Sequence, residues 1–99
     1  MKENISNVEN GLNMVLKMKP KHFDYINGTK NNLGFIAQDI QEIIPQAVTI
    51  TENTNMLGLK TDFLIPYLVK AVQEIVDKYD NKISILEAQI EELKSLINK

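Results

Sequence analysis

His22 and Asp24, two positions apart, are the first residues whose types could do chemistry. On a strand both would point to one face, as a proton-transfer pair requires. A metal site needs more, because three or four ligands must converge. The chain has a single histidine and no cysteine. Thiolate sites are therefore excluded, and neither metal nor cofactor is expected. Asn27-Gly28-Thr29-Lys30 combines glycine with lysine but lacks the G-x-x-x-x-G-K-S/T spacing that wraps a phosphate. A hairpin turn is the better reading, since Asn-Gly supplies positive φ angles. Glu91, Glu92 and Lys94 read as a solvated helix face. Ser6 with Glu9 reads as a capping box, not as a nucleophile. An independent hydrolase or ligand-binding domain is thus the weakest functional reading.

The elements that would position these residues are short up to residue 60. A first helix is expected from Ser6, with Val8, Leu12, Val15 and Leu16 on one face. It should stop over Lys17 to Lys19, because Pro20 disfavours helical geometry in the residue before it. Gly11 inside it costs about 1 kcal/mol against alanine. Strands are expected over Lys21 to Ile26 and Leu33 to Ile36, with Gly34 marking a bulge or a close approach. Ala37 to Ile44 should be helical, with Pro45 just past its end. Gln46 to Ile50 and Met56 to Leu59 read as strands around a polar loop, Thr51 to Asn55. Asn, Gly and Pro interrupt all of this.

From Thr61 the pattern becomes one long helix. Thr61 or Asp62 could cap it, and Pro66 falls in or just after its first turn. Val69, Val76, Ile83, Ile90 and Ile97 recur every seventh residue, as do Ile65, Val72, Tyr79, Leu86 and Leu93. These are the a and d positions of a coiled coil. Lys82 at g and Glu87 at the next e could pair between parallel chains. At 1.5 Å per residue the helix would span about 57 Å. A compact chain of this length has a radius of gyration of only about 13 Å. The helix must protrude, and its apolar seam calls for other copies of the chain. Folding back onto the body is disfavoured, because the body is too small to cover the last turns. β-branched residues at a with leucine at d lean toward two strands. The predicted fold class is α+β: a body over residues 1–60 and a coiled-coil helix over 61–99, one functional domain overall.

Ninety-nine residues with a net charge of −2 fit one small domain without a basic patch. Nucleic acid is a poor expectation. No apolar run reaches the roughly 20 residues of a membrane span, and Met1 to Ile5 lacks a signal-peptide layout.

Leu33-Gly34-Phe35-Ile36-Ala37-Gln38-Asp39-Ile40, followed by Ile44-Pro45, resembles the GFIAQ-E/D-V…P signature of the peptidase S74 family. Met18 to Tyr25 resembles its L-x-P-x-x-F-x-Y segment. Thr61 to Pro66 with Leu68 to Glu74 is similar to its Y-x-x-L-x-P-x-L-x-x-A-I-Q-E helix. The family comprises C-terminal intramolecular chaperone domains of phage endosialidases, tail fibres, tailspikes and neck appendages, with a related domain in a eukaryotic membrane-bound transcription factor.

The resemblance implies a parallel homotrimer through Ile65, Val69, Val72, Val76, Tyr79, Ile83, Leu86, Ile90, Leu93 and Ile97. It also implies an upstream domain of the same polypeptide as the client, aligned and then released by autoproteolysis. The family cuts itself with a Ser–Lys dyad in a motif resembling S-D-x-x-L-K-x-N-I. Lys2-Glu3-Asn4-Ile5 matches the end of that motif, so Lys2 becomes the candidate general base. The serine is expected five residues before it, outside this chain, which would then be the released domain, trimmed or begun at a new Met. The signature residues are Gly34, Phe35, Ile36, Ala37, Gln38, Asp39 and Pro45; of these, Gln38 and Asp39 could pack against neighbouring subunits or the cleavage segment, or Asp39 or its neighbours could cap a helix. The implied location is the host cytoplasm during phage assembly, or the virion through the parent protein. The runner-up is a generic coiled-coil homodimerisation or regulatory module.

Overall fold

Pro20 and Pro45 divide the first half of the chain into short pieces, and the computed structural model, which describes residues 1–52 and 56–98, keeps those divisions. A helix, α1 (Gly11–Lys17), precedes two strands, β1 (Lys21–Phe23) and β2 (Asn32–Gly34). A second helix, α2 (Ala37–Ile43), leads through a 3-10 turn over Pro45–Ala47 into β3 (Val48–Ile50). Then come β4 (Leu57–Leu59), a second 3-10 turn over Thr61–Phe63, and α3 (Ile65–Ile97), 33 residues long.

Each strand pair is an antiparallel ribbon. His22 faces Leu33 in one, and Thr49 faces Gly58 in the other. The strands are shorter than expected, because residues 24–31 form a structured connection and not a two-residue turn. In the Asn27-Gly28 pair, Asn27 takes the left-handed conformation, at φ 58°, and Gly28 does not. Asn31 is left-handed too, and its N–H donates to Asp24 Oδ1 at 2.8 Å. Asn32 donates from Nδ2 to Thr29 O at 3.0 Å and Phe23 O at 3.4 Å. These side-chain bonds replace the ladder rungs that longer strands would have made. Gly34 forms no bulge. It pairs in register with Lys21, and a Cβ there would lie 3.3 Å from the Phe23 ring.

Three expected caps are absent. Ser6 to Glu9 lie outside any helix, and α1 starts after Asn10, which is left-handed at φ 58°. A tertiary partner takes the place of the capping box: Glu74 Oε1, from α3, accepts the Gly11 N–H at 2.9 Å. Thr61 and Asp62 make no side-chain cap for α3, because the 3-10 turn satisfies this stretch through backbone bonds, such as Leu64 N–H to Thr61 O at 2.9 Å. Asp39 sits in the first turn of α2, where its charge suits the helix dipole, without a capping bond. Pro66 falls in the first turn of α3, where its missing N–H is harmless.

Ile40, Ile44, Ala47 and Leu64 form the buried core, with Met14, Phe35, Leu59 and Tyr67 packed around it. Ile40 in α2 and Ile44 at its end are thus buried together, while Ile43 is only half-buried. α1 runs antiparallel to the start of α3: Gly11 lies against Lys70 and Ala71, and Met18 shares a groove with Leu64. Beyond that contact α3 projects alone. The chain measures 77 × 39 × 20 Å with a radius of gyration of 21.1 Å, well above the roughly 13 Å of a compact chain this long. The loop expected at Thr51–Asn55 lies partly outside the described residues.

Candidate functional site

On α3 the residues beside Gly11 of α1 are Tyr67, Lys70, Ala71 and Glu74. In heptad terms these are b, c and f positions, the side of the helix opposite a and d. The body therefore clamps the back of α3 and leaves the front open. Every predicted seam residue, Ile65, Val69, Val72, Val76, Tyr79, Ile83, Leu86, Ile90, Leu93 and Ile97, is between 50% and 78% exposed. The fold-back alternative fails on this geometry, since the body comes beside the seam only at its start, near Ile65 and Val69, and leaves the rest uncovered.

The uncovered face is wider than the a and d pattern alone. Leu68, Ile75 and Leu96 are also exposed, and all three sit at g, beside d. Their seven- and 21-residue spacing was present in the sequence but hidden by the polar g residues Lys82 and Gln89. At the Tyr79 layer the ring lies 5.8 Å from both Lys78 Nζ and Lys82 Nζ. Within one chain Lys82 thus leans on an aromatic face. Among the described residues the ion pair present is Glu91 to Lys94, 3.8 Å and exposed, as a solvated face predicts.

The residues singled out for chemistry are dispersed. His22 is exposed on β1, and Asp24, just past the strand, is engaged by the Asn31 backbone. No group of three His, Cys, Asp or Glu side chains that could hold a metal occurs among the described residues. Lys2 is exposed in the extended N-terminal segment. Among the described residues no helix is long and apolar enough to cross a membrane.

Gly34 to Asp39 form the corner between β2 and α2. Gly34 admits the Phe23 ring, Phe35 packs on the core, and Ile36 is the residue from which α2 starts. Gln38 is exposed, Ala37 and Asp39 are half-buried, and Pro45 opens the 3-10 turn under Ile44. Their visible work is to build the corner that holds the core.

Sequence reasoning missed two features. One is the Gly11–Glu74 bond, which joins residues 63 positions apart and leaves no local signal. The other is an apolar groove lined by Val15, Met18, Phe35, Leu64, Ile65 and Leu68.

Comparison with known families gives a match. Residues 1–49 fit the family described as peptidase S74, chaperone of endosialidase. The match covers the segment before β1 and the corner signature, and it ends within β3. The helix motif from Thr61 lies beyond it. No curated protein matches the chain. The family supports a chaperone role.

Proposed function

Through residues 1–49 the chain belongs to the peptidase S74 family, and on that premise we propose that it is the intramolecular chaperone of a phage tail spike or fibre, acting as a parallel homotrimer. The observation that carries this reading is the uncovered seam of α3, apolar at a and d and extended by Leu68, Ile75 and Leu96 at g. Each Ile or Leu taken out of water is worth roughly 1.5–3 kcal/mol. Two strands cover mainly a and d. A third brings the g flank of each helix against a neighbour, so the width of the stripe favours three. That outweighs the lean toward two strands that the a and d residue types give.

Residues 1–60 serve as the body of the domain and 61–99 as the arm that assembles it. Zipping three arms tethers three upstream chains and turns their encounter into an intramolecular one, at a much higher effective concentration. Release follows by self-cleavage. A serine five residues before Lys2 in the parent is the nucleophile, and Lys2 is the general base that takes its hydroxyl proton. Cleavage makes assembly one-way, because the released trimer no longer holds the parent chains together. This happens in the host cytoplasm during phage assembly, and the assembled parent goes to the virion. The partners are the chain itself and its own upstream domain.

Light scattering over a dilution series tests the assembly. A stable mass of three chains is expected. A mass of two would favour a generic dimerisation module, and a mass of one would overturn both readings. Cleavage is tested in the uncut parent with Lys2→Arg, since arginine is not deprotonated in proteins. Assembled but uncut parent is expected. Normal cutting would remove Lys2 from the mechanism.

A further inference from the structure

The two flanks of α3 near its start differ. On the d and g side, the helix and α1 enclose the apolar groove of Val15, Met18, Phe35, Leu64, Ile65 and Leu68. On the a and e side, the extended segment before α1 lies along the helix, where Asn7 and Val8 share a hollow with Pro66, Val69 and Gln73. Ile65 lines both, so the groove and the segment stand at the same height on opposite shoulders of one helix.

That placement has a consequence in a cyclic assembly. When parallel helices associate through a and d, the a and e shoulder of one faces the d and g shoulder of the next. The contact is heterologous and closes as a ring. A g residue then faces the e residue five positions further on in the neighbour, so Leu68 opposes Gln73 of the next copy. Gln73 lines the same hollow as Val8. The groove is continuous with the seam through Ile65 and Leu68, and both are exposed in the single chain.

We propose that the groove between α1 and α3 receives the N-terminal segment of a second copy of this chain, with Val8, and Ile5 beyond it, as the apolar contacts. This rests on the parallel, cyclic assembly proposed above and adds a specific body-to-body contact to it. Ile5 is 82% exposed in the single chain, with no apolar cover of its own. The lining of the groove is almost entirely apolar, which suits Ile5 and Val8 and rejects the charged ends of Lys2 and Glu3. The occupant is thus a short stretch near Ile5 to Val8, reached from the neighbouring shoulder. The interface would not stop at the coiled coil. It would fix the segment that joins this domain to whatever precedes it.

The chain has no cysteine, which permits a clean test. Val8→Cys and Leu68→Cys are combined in the full chain and treated with a short bismaleimide, with each single variant as control. Within one chain the two positions lie on opposite shoulders of α3, and between neighbours they meet. The expected result is a covalent band of three chains from the double variant alone. Light scattering of the same sample separates the possible failures. A three-chain mass with no inter-chain band, or with a link inside one chain, would overturn the groove contact and leave the trimer standing. A mass of one or two chains in the unmodified protein would overturn both. As a second readout, Val8→Asp should raise the concentration at which the assembly dissociates by about tenfold or more, and an unchanged dilution profile would count against the contact.

Discussion

Gly11 is read in opposite ways by helix propensity and by packing. By propensity, Gly11→Ala should stabilise α1 by up to about 1 kcal/mol. By packing, the new Cβ would stand 2.6 Å from Lys70 Cβ and 2.7 Å from both the Ala71 nitrogen and the Tyr67 oxygen. Two of those three neighbours are backbone atoms of a long helix and cannot step aside, so α1 must lift. Overpacking of this kind costs about 1–3 kcal/mol, more than the propensity gain. Chemical denaturation should show Gly11→Ala destabilised, and a stabilised variant would mean that α1 does not dock there. Glu74→Ala should cost about 1–3 kcal/mol by leaving the part-buried Gly11 N–H without its acceptor, whereas Glu74→Gln keeps an acceptor and should lose less. The sequence displayed Gly11 only as a flaw in a helix. Its use became visible once residue 74 was beside it.

Among the elements, those set by periodicity and proline were legible. The 3.6-residue pattern of α2, its stop before Pro45 and the long α3 all follow from spacings within one segment. Those set by contacts between segments were not. α1 begins at Gly11 because Glu74 serves its first N–H, so the Ser6–Glu9 signal, real as a local preference, was overridden. The connection of residues 24–31 is held by Asp24 and Asn32 side chains, where Asn-Gly alone suggested a tight turn. For α3 the seam can be tested against exposure itself. Ile83, Ile85 and Leu86 are 51%, 57% and 54% exposed in the single chain, so exposure does not tell them apart. Heptad position does: Ile83 is a, Leu86 is d and Ile85 is c. Ile83→Asp or Leu86→Asp should shift the three-chain mass toward monomer, because a buried charge in a closed seam lacks a partner. In the parent, either change should leave the upstream chains aggregated. Ile85→Asp should leave the mass unchanged. Equal effects from all three would mean that the seam is not the interface.

For the whole molecule, stability should depend on assembly. Among the described residues the buried apolar set is Ile40, Ile44, Ala47, Leu64 and Ala71, and two of these are alanines. So small a core is marginal for a chain of this size, while ten seam side chains wait uncovered on a helix extending beyond the body. Leu64 and Ala71 belong to the core and to the start of α3 at once. Whatever loosens the arm at that point also removes part of the floor on which α1 and α2 rest. Folding of the body and zipping of the arm are thereby linked. Because a partner that binds only the folded chain stabilises it by mass action, the unfolding midpoint should rise with chain concentration. Helical signal from α3 and aromatic signal from Phe35 and Tyr67 should disappear in one transition. Thermal melts followed by far- and near-ultraviolet circular dichroism over about a hundredfold concentration range would check this, since that range changes the mass-action term by several kcal/mol for a three-chain equilibrium. A midpoint independent of concentration would mean that the body is stable alone and that the arm is only appended to it. Two separate transitions would say that the arm melts without disturbing the core. In either case the link through Leu64 and Ala71 would have to be abandoned.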